Sequence, residues 1–481
     1  MNNDLHDAPF DLIFDRATVI DGTGAPSYVA DVAISGDRIG MIGDLSDRAA
    51  VRRVDAKGLI LSPGFIDVHT HQDNALLVGP EMAPSVSQGI TTIVTGNCGI
   101  SLAPLVRDTV PAPLDLLVSG TSGPFIFSTF AAYLDAVRSA SPAVNAAPLV
   151  GHSTLRVAVM EDVTQPATDA EIEAMKALLD ECMRAGAIGM SSGLFYPPAR
   201  GSKADEVVAL LEVVSAYGGV YTTHMRDEAD AIMDSLDESF NTARSADVPL
   251  IISHHKCMGQ RNFGRSVDTL ARIDAAAEEQ SIALDAYPYV AGSSSLLHDL
   301  AAKSSSTQIT WSTPYPDLAG RTVTDIAAEW GISEDAAIDR LKPGGAIYHM
   351  MSQEDLDRII SHPKCMIGSD GLPHDKMPHP RLWGTFPRVL GHFCRERGLF
   401  PLEDIVRRMT QLPAQEYGLV DRGTLRVGAF ADLVLFDADR VGDRATYDDP
   451  ATPADGIEMV VVNGQQVGGT RRSGRVLTRQ G

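Results

Sequence analysis

The chain has 481 residues, 44% hydrophobic and 21% charged, which is the composition of a globular enzyme domain with a smaller appendage. Its 63 acidic against 40 basic side chains give a formal charge of −23, which argues against nucleic acid or an anionic membrane as partner, since both recruit clustered positive charge. No stretch reaches the roughly eighteen apolar residues of a membrane span, and five scattered cysteines make no disulfide framework, so a reducing cytoplasm is expected.

The chain opens on MNNDLHDAPFDLIF, with acids where a secretory leader would carry Lys or Arg ahead of an apolar run. Short alternating segments start at Phe10, Val29 and Val51, separated by Gly and Asp turns, a pattern that predicts antiparallel β structure. The tail repeats it from Gly423 and Ile457. Neither end can bury a core alone. Residues 1–62 and 416–481 are therefore expected to combine into one small β-sandwich.

Between them lie eight short apolar runs, starting at Gly64, Gly89, Ala146, Ala187, Gly219, Pro249, Ile282 and Cys365. They are near-continuously apolar, as parallel strands covered on both faces must be. Helical patterns separate them; in TDAEIEAMKALLDECMRAG, Thr168 and Glu171 form a capping box and Gly186 is the stop. The alternation predicts an α/β fold, a (β/α)8 TIM-like barrel over residues 63–415. The long interruption at 290–347 is too large for a bare loop and is read as an inserted lid or subdomain after strand 7, with a helix in TVTDIAAEWG.

Barrel active sites form at the C-terminal ends of strands. There the first run carries His69 and His71, the second Cys98, the fifth His224, the sixth His254 and the eighth Asp370. Each has a plainer reading: a His-x-His can simply close a strand, and a cysteine in an apolar strand is commonly a small buried hydrophobe. Together, six ligand-type groups on five strand ends point to a metal, and the mixture of S, N and O donors suits Zn²⁺. Six exceed what one tetrahedral zinc needs. Either two metals share the mouth with Cys98 bridging, or one site is tight and the other weak. His255 follows His254 and faces the other way; His152 is expected behind the ligands. Zinc makes hydroxide available at neutral pH, and Asp370 is placed to act as ligand or as general base and acid.

With these residues assembled, the chain resembles the metal-dependent amidohydrolases, and within them the N-acyl-D-amino-acid deacylases. The resemblance runs through PGFIDVHTHQDN, GITTIVTGNCGISLAP, LVGHSTLR, THMRDE, ISHHKCMGQRNFGRS, LDAYPYVAG and MIGSDGLPHDKMPHPRLWGTFPRVLG, nearly the whole chain. Cys98 stands where many relatives place a carboxylated lysine, and Gln72 departs from the acid expected after His-Thr-His. The resemblance implies one tight zinc on Cys98, His224 and His254, and a second, weaker position on His69, His71 and Asp370, with Asp370 the catalytic acid/base. It also implies a small-molecule N-acyl-D-amino acid as substrate. Lys256, Tyr287, Arg381 and Tyr196 are candidates to clamp its carboxylate. The loop AGSSSLLHDL offers Ser293, Ser295, Leu296 and Leu297 to the side-chain pocket and no Lys or Arg, so neutral, hydrophobic D-amino acids such as D-methionine and D-leucine are expected. Cyclic-amide hydrolysis, acidic D-amino acids, and a silent scaffold are the alternatives.

Overall fold

The computed structural model describes residues 9–118 and 125–479. The acidic residues 1–8, read above as no leader, and the ends of the expected sandwich at 1–8 and 480–481 lie outside the described residues.

Eight parallel strands carry the centre of the molecule: Phe65–Asp67, Ile90–Thr95, Asn145–Pro148 continued by Val150–Gly151, Gly189–Gly193, Val220–His224, Leu250–Ile252, Ile282–Ala286 and Cys365–Ile367. They pair in chain order, with Ile66 opposite Thr92, Asn145 opposite Thr92, Val150 opposite Met190 and Met190 opposite Tyr221. Next come Tyr221 opposite Leu250, Leu250 opposite Ile282, and Leu284 opposite Cys365. The two ends of the run meet where Val68 N–H donates to the Ile367 carbonyl at 3.5 Å and Thr70 bridges Gly371.

The apolar runs explain this arrangement. Val68, Val94, Ala147, Ile188, Val220, Ile251, Ala283 and Met366 come one from each strand or its immediate continuation and pack into a single buried cluster. Alternate residues of the same strands face outward into a second core shared with the helices, which include Tyr221, Ile252 and Leu284. Strands buried on both faces have no room for polar alternation. The helix Asp169–Ala185 covers part of the outer face; its Thr168–Glu171 capping box forms, and Gly186 closes it at φ 119°.

Strands from both ends of the chain share one eight-stranded sheet. Leu433–Phe436 runs antiparallel to Ile60–Pro63, joining the tail to the head. The antiparallel expectation holds only in part: Phe10–Val19 runs antiparallel to Tyr28–Ser35, but, breaking register near Arg16 at φ 57°, it pairs in parallel with Ala50–Asp55 at its start and with Ile60–Pro63 at its end.

Residues 291–349 form a three-stranded antiparallel sheet, Ala291–Ser295 and Thr307–Ser312 flanking Gly344–His349, with helices Val323–Trp330 and Glu334–Leu341. Its apolar core includes Ile309, Ile326, Ile338 and Tyr348, and continues into Cys98, Phe195 and Tyr196 of the strand ends. Among the described residues no helix is long and apolar enough to cross a membrane.

Candidate metal centre and active site

Short loops at the C-terminal ends of the parallel strands place every ligand-type group named above at one buried focus. Cys98 is 2% exposed, and its Sγ lies 3.2 Å from His69 Nε2 and 3.3 Å from His254 Nε2. Two groups of donor atoms share that sulfur. His69, His71, Cys98 and Asp370 form one and Cys98, His224 and His254 the other, with the donors of each within 4.8 Å of one another. Asp370 Oδ1 is 3.2 Å from His71 Nε2 and 3.7 Å from His69 Nε2.

The backbone is bent to achieve this. Cys98, His254 and Asp370 have φ of 52°, 35° and 50°, a region that residues with a Cβ enter at a cost. Each turns the chain sharply at the strand end, aiming the side chain across the mouth. Close packing leaves little freedom there: a Cβ on Gly193 would meet the Cys98 carbonyl oxygen at 2.1 Å.

Electrostatics favour the anionic forms of Cys98 and Asp370. Burial alone would raise the Cys98 thiol, but the imidazoles of His69, His254 and His224 outweigh it and hold the thiol well below its ordinary range. For Asp370, burial is likewise outweighed, first by Arg381 with Nη1 2.8 Å away and then by His71 and His69, so the carboxyl stays well below the usual carboxylate range. Buried His224 has no hydrogen-bond partner for Nδ1 among the described residues, and its Nε2 stands 3.4 Å from Glu228 Oε2. A thiolate, imidazole nitrogens and a carboxylate within ligand reach of one another are a donor set that fits zinc.

The proposed substrate groups surround this focus. The Lys256 ammonium is buried and donates to Glu228 at 2.8 Å and to the His254 carbonyl at 3.0 Å. Arg381, also buried, lies over the Tyr287 ring at 4.6 Å and donates from Nη2 to the Ser293 carbonyl at 3.2 Å. Tyr196 hydroxyl is 3.1 Å from Ser294 Oγ, and its ring meets that of His224 edge-on at 4.9 Å. Ser293 Oγ is buried without a partner among the described residues.

Two expectations are revised. His152 begins the helix His152–Val159, so it leaves the strand alternation and bonds Glu206 at 2.8 Å beside Arg156. Leu296 turns into the core of the inserted sheet, while Leu300, on the following helical turn, lines the pocket with Ser293 and Ser294. Gln72 reaches Thr70 and Ser85.

Sequence reasoning also missed the carboxylates that hold the ligands. Asp285 accepts from His254 N–H at 2.9 Å and sits 3.4 Å from His69 Nδ1. Asp67 accepts from Ser369 Oγ at 2.5 Å and from His69 N–H at 3.2 Å, and burial pushes its pKa up to about 7. Glu228 is wholly buried against Lys256 and His254. Asp285 and Asp67 are single acids inside apolar strands, a signal available in the sequence; Glu228 sits among charged residues and gave none.

Comparison with known proteins gives the following. The model of the amidohydrolase family matches residues 52–290 and 312–468. D-aminoacylase of Alcaligenes xylosoxydans xylosoxydans is 54% identical over 476 residues, covering 98% of each chain. N-acyl-D-aspartate deacylase of the same organism is 51% identical, covering 98% of this chain and 95% of its own. Among solved structures, N-acyl-D-glutamate deacylase from Bordetella bronchiseptica, complexed with zinc and a phosphonate mimic of the tetrahedral intermediate, superposes with a TM-score of 0.95 at 44% identity, covering 98% of this chain and all of its own.

Proposed function

The chain belongs to the amidohydrolase family, and on that footing we propose that it is a zinc-dependent N-acyl-D-amino-acid deacylase, hydrolysing its substrate to a carboxylate and a free D-amino acid. The observation that carries the reading is the shared sulfur of Cys98, standing between the pair His224 and His254 and the group His69, His71 and Asp370. In this reading the eight parallel strands are a (β/α)8 barrel over residues 63–415. Residues 1–62 and 416–481 are its β appendage, 290–347 its lid, and the cytoplasm its compartment.

Cys98, His224 and His254 would hold the tight zinc, and His69, His71 and Asp370, with Cys98, a weaker second one. Zinc bound there supplies a Lewis acid that polarises the amide carbonyl and acidifies water. Asp370, kept ionised by Arg381, takes a proton from the water as its oxygen bonds the carbonyl carbon, then returns that proton to the nitrogen as the C–N bond breaks. Lys256, Arg381, Tyr287, Tyr196 and Ser293 are read as holding the α-carboxylate and orienting the amide. Replacing Asp370 by Asn is expected to abolish turnover while leaving the tight zinc bound, which kcat and zinc content of the pure variant would check.

The pocket supports a neutral side chain. Leu116, Phe195, Met258, Leu300, Tyr348 and Met350 line it, and Lys256 is the one Lys or Arg among its described lining residues. In this reading the substrate's own carboxylate engages Lys256 and Arg381, the latter outside the lining and paired with Asp370, leaving no cation for an acidic side chain. Cyclic-amide hydrolysis is the rival to test: zinc-replete protein should cleave N-acetyl-D-methionine and leave dihydrouracil intact. The reverse outcome would replace the reading, and an absence of zinc would favour a scaffold.

A further inference from the structure

Glu228 has no part in the mechanism just given, yet its carboxylate touches three groups of the site. Its oxygens lie 2.8 Å from Lys256 Nζ, 3.1 Å from His254 Nδ1 and 3.4 Å from His224 Nε2, and it is fully buried. The loop after the fifth strand is also tied to the loop after the sixth, because Met258 N–H donates to the Glu228 carbonyl at 2.7 Å.

The two ring nitrogens of His254 face different partners. Nε2 points to Cys98 Sγ, 3.3 Å away, so it must present a lone pair whenever a metal is held there. The ring proton then belongs on Nδ1, 3.1 Å from Glu228 Oε1, where a carboxylate accepts it. Such an acceptor fixes both tautomer and ring orientation of a metal-binding imidazole. The Lys256 ammonium stands 2.7 Å from the same nitrogen, a donor facing a donor once that proton is in place, so it must draw back from Nδ1 in the metal-binding tautomer. Its hydrogens go to Glu228 and the His254 carbonyl, which leaves one for a ligand.

We propose that Glu228 is a positioning residue that sets the His254 tautomer and aims Lys256, so that zinc retention and recognition of the substrate carboxylate depend on one buried group. The proposal rests on the deacylase reading. It separates two variants. Glu228→Gln keeps an amide oxygen for Nδ1–H and loses the charge that holds Lys256; Glu228→Ala loses both.

The test measures zinc transfer to a chromogenic chelator, alongside KM and kcat for N-acetyl-D-methionine and for its carboxamide, which lacks the carboxylate. Glu228→Ala is expected to release zinc on the order of 10- to 100-fold more readily, the usual loss when such an acceptor is removed, and Glu228→Gln to retain it near the wild-type level. Both should raise KM for the acid, with little change in kcat for Gln and little change in KM for the carboxamide. Equal losses on acid and carboxamide, or wild-type zinc retention in Ala, would overturn the proposal. If Glu228→Ala does not fold, the acid-against-carboxamide split in the isosteric Gln variant decides alone. Wild-type protein that holds zinc but cleaves no N-acyl-D-amino acid overturns the deacylase reading and the Lys256 half of the proposal with it; a faulty Glu228 assignment leaves wild-type activity intact.

Discussion

At the scale of single residues, the site depends on where Cys98 sits more than on how many histidines surround it. Cys98 is within 3.3 Å of ring nitrogens from two other strands and belongs to both donor groups. Removing it takes a donor from each group at once, whereas removing His71 affects one. Cys98→Ala is therefore expected to bring the zinc content of the purified protein close to zero, and a full complement by elemental analysis would contradict the assignment. The ligand-type residues were legible in the sequence because each ends an apolar run, a position that has meaning only if the runs are strands of one sheet. Glu228 was not legible. Its burial is created by Lys256 and His254, which arrive from the next strand, and nothing local in THMRDE distinguishes it from a solvated acid.

At the scale of elements, the strand ends are packed backbone to backbone. Gly193, ending the fourth strand, faces the carbonyl of Cys98 at the end of the second, with only 2.1 Å available to an added Cβ. Gly193→Ala must push the Cys98 turn, already at positive φ, out of place. The expected cost is on the order of 1–3 kcal/mol from overpacking, seen as a lowered urea midpoint, together with faster loss of zinc; unchanged zinc retention would show that the two ends are less tightly coupled. The central strands were readable from their unbroken apolar runs, whereas the outer strands bury residues in blocks, so alternation did not give the parallel pairing of Phe10–Val19. The capped helix Asp169–Ala185 was readable to the residue because its start and stop are chemical. The direction of side chains past a strand end was not readable: His152 and Leu296 both leave the strand alternation, one into a helix and the other into the inserted sheet's core.

At the scale of the whole molecule, the inserted sheet packs on the strand ends, its core continuing into Cys98, Phe195 and Tyr196, and polar groups that the sequence shows as ordinary loop residues are buried. Asp375 lies in the segment after the eighth strand and is 8% exposed. Burial raises its pKa from 3.8 to about 7, with Thr310 and Arg381 opposing. The folded protein thus holds this proton after the unfolded chain has released it. Rising pH favours unfolding from about 4 until the folded-state carboxyl ionises near 7, and has no further effect through this group above that. Asp375→Asn is accordingly expected to gain stability over wild type as pH rises from 4 to 7, with a constant difference beyond. Urea midpoints across that range would check it, and a difference independent of pH would refute the assigned burial.

The proposed role of the Cys98 focus is the hydrolysis of N-acyl-D-amino acids with neutral side chains. The most direct measurement is kcat/KM of the zinc-replete protein for N-acetyl-D-methionine, N-acetyl-D-leucine, N-acetyl-D-glutamate and the L-enantiomer of each. Turnover of the D-series with methionine or leucine ahead of glutamate, and negligible turnover of the L-series, is the predicted result. A higher kcat/KM for N-acetyl-D-glutamate than for both neutral substrates would contradict the pocket, and preference for the L-series would contradict the function.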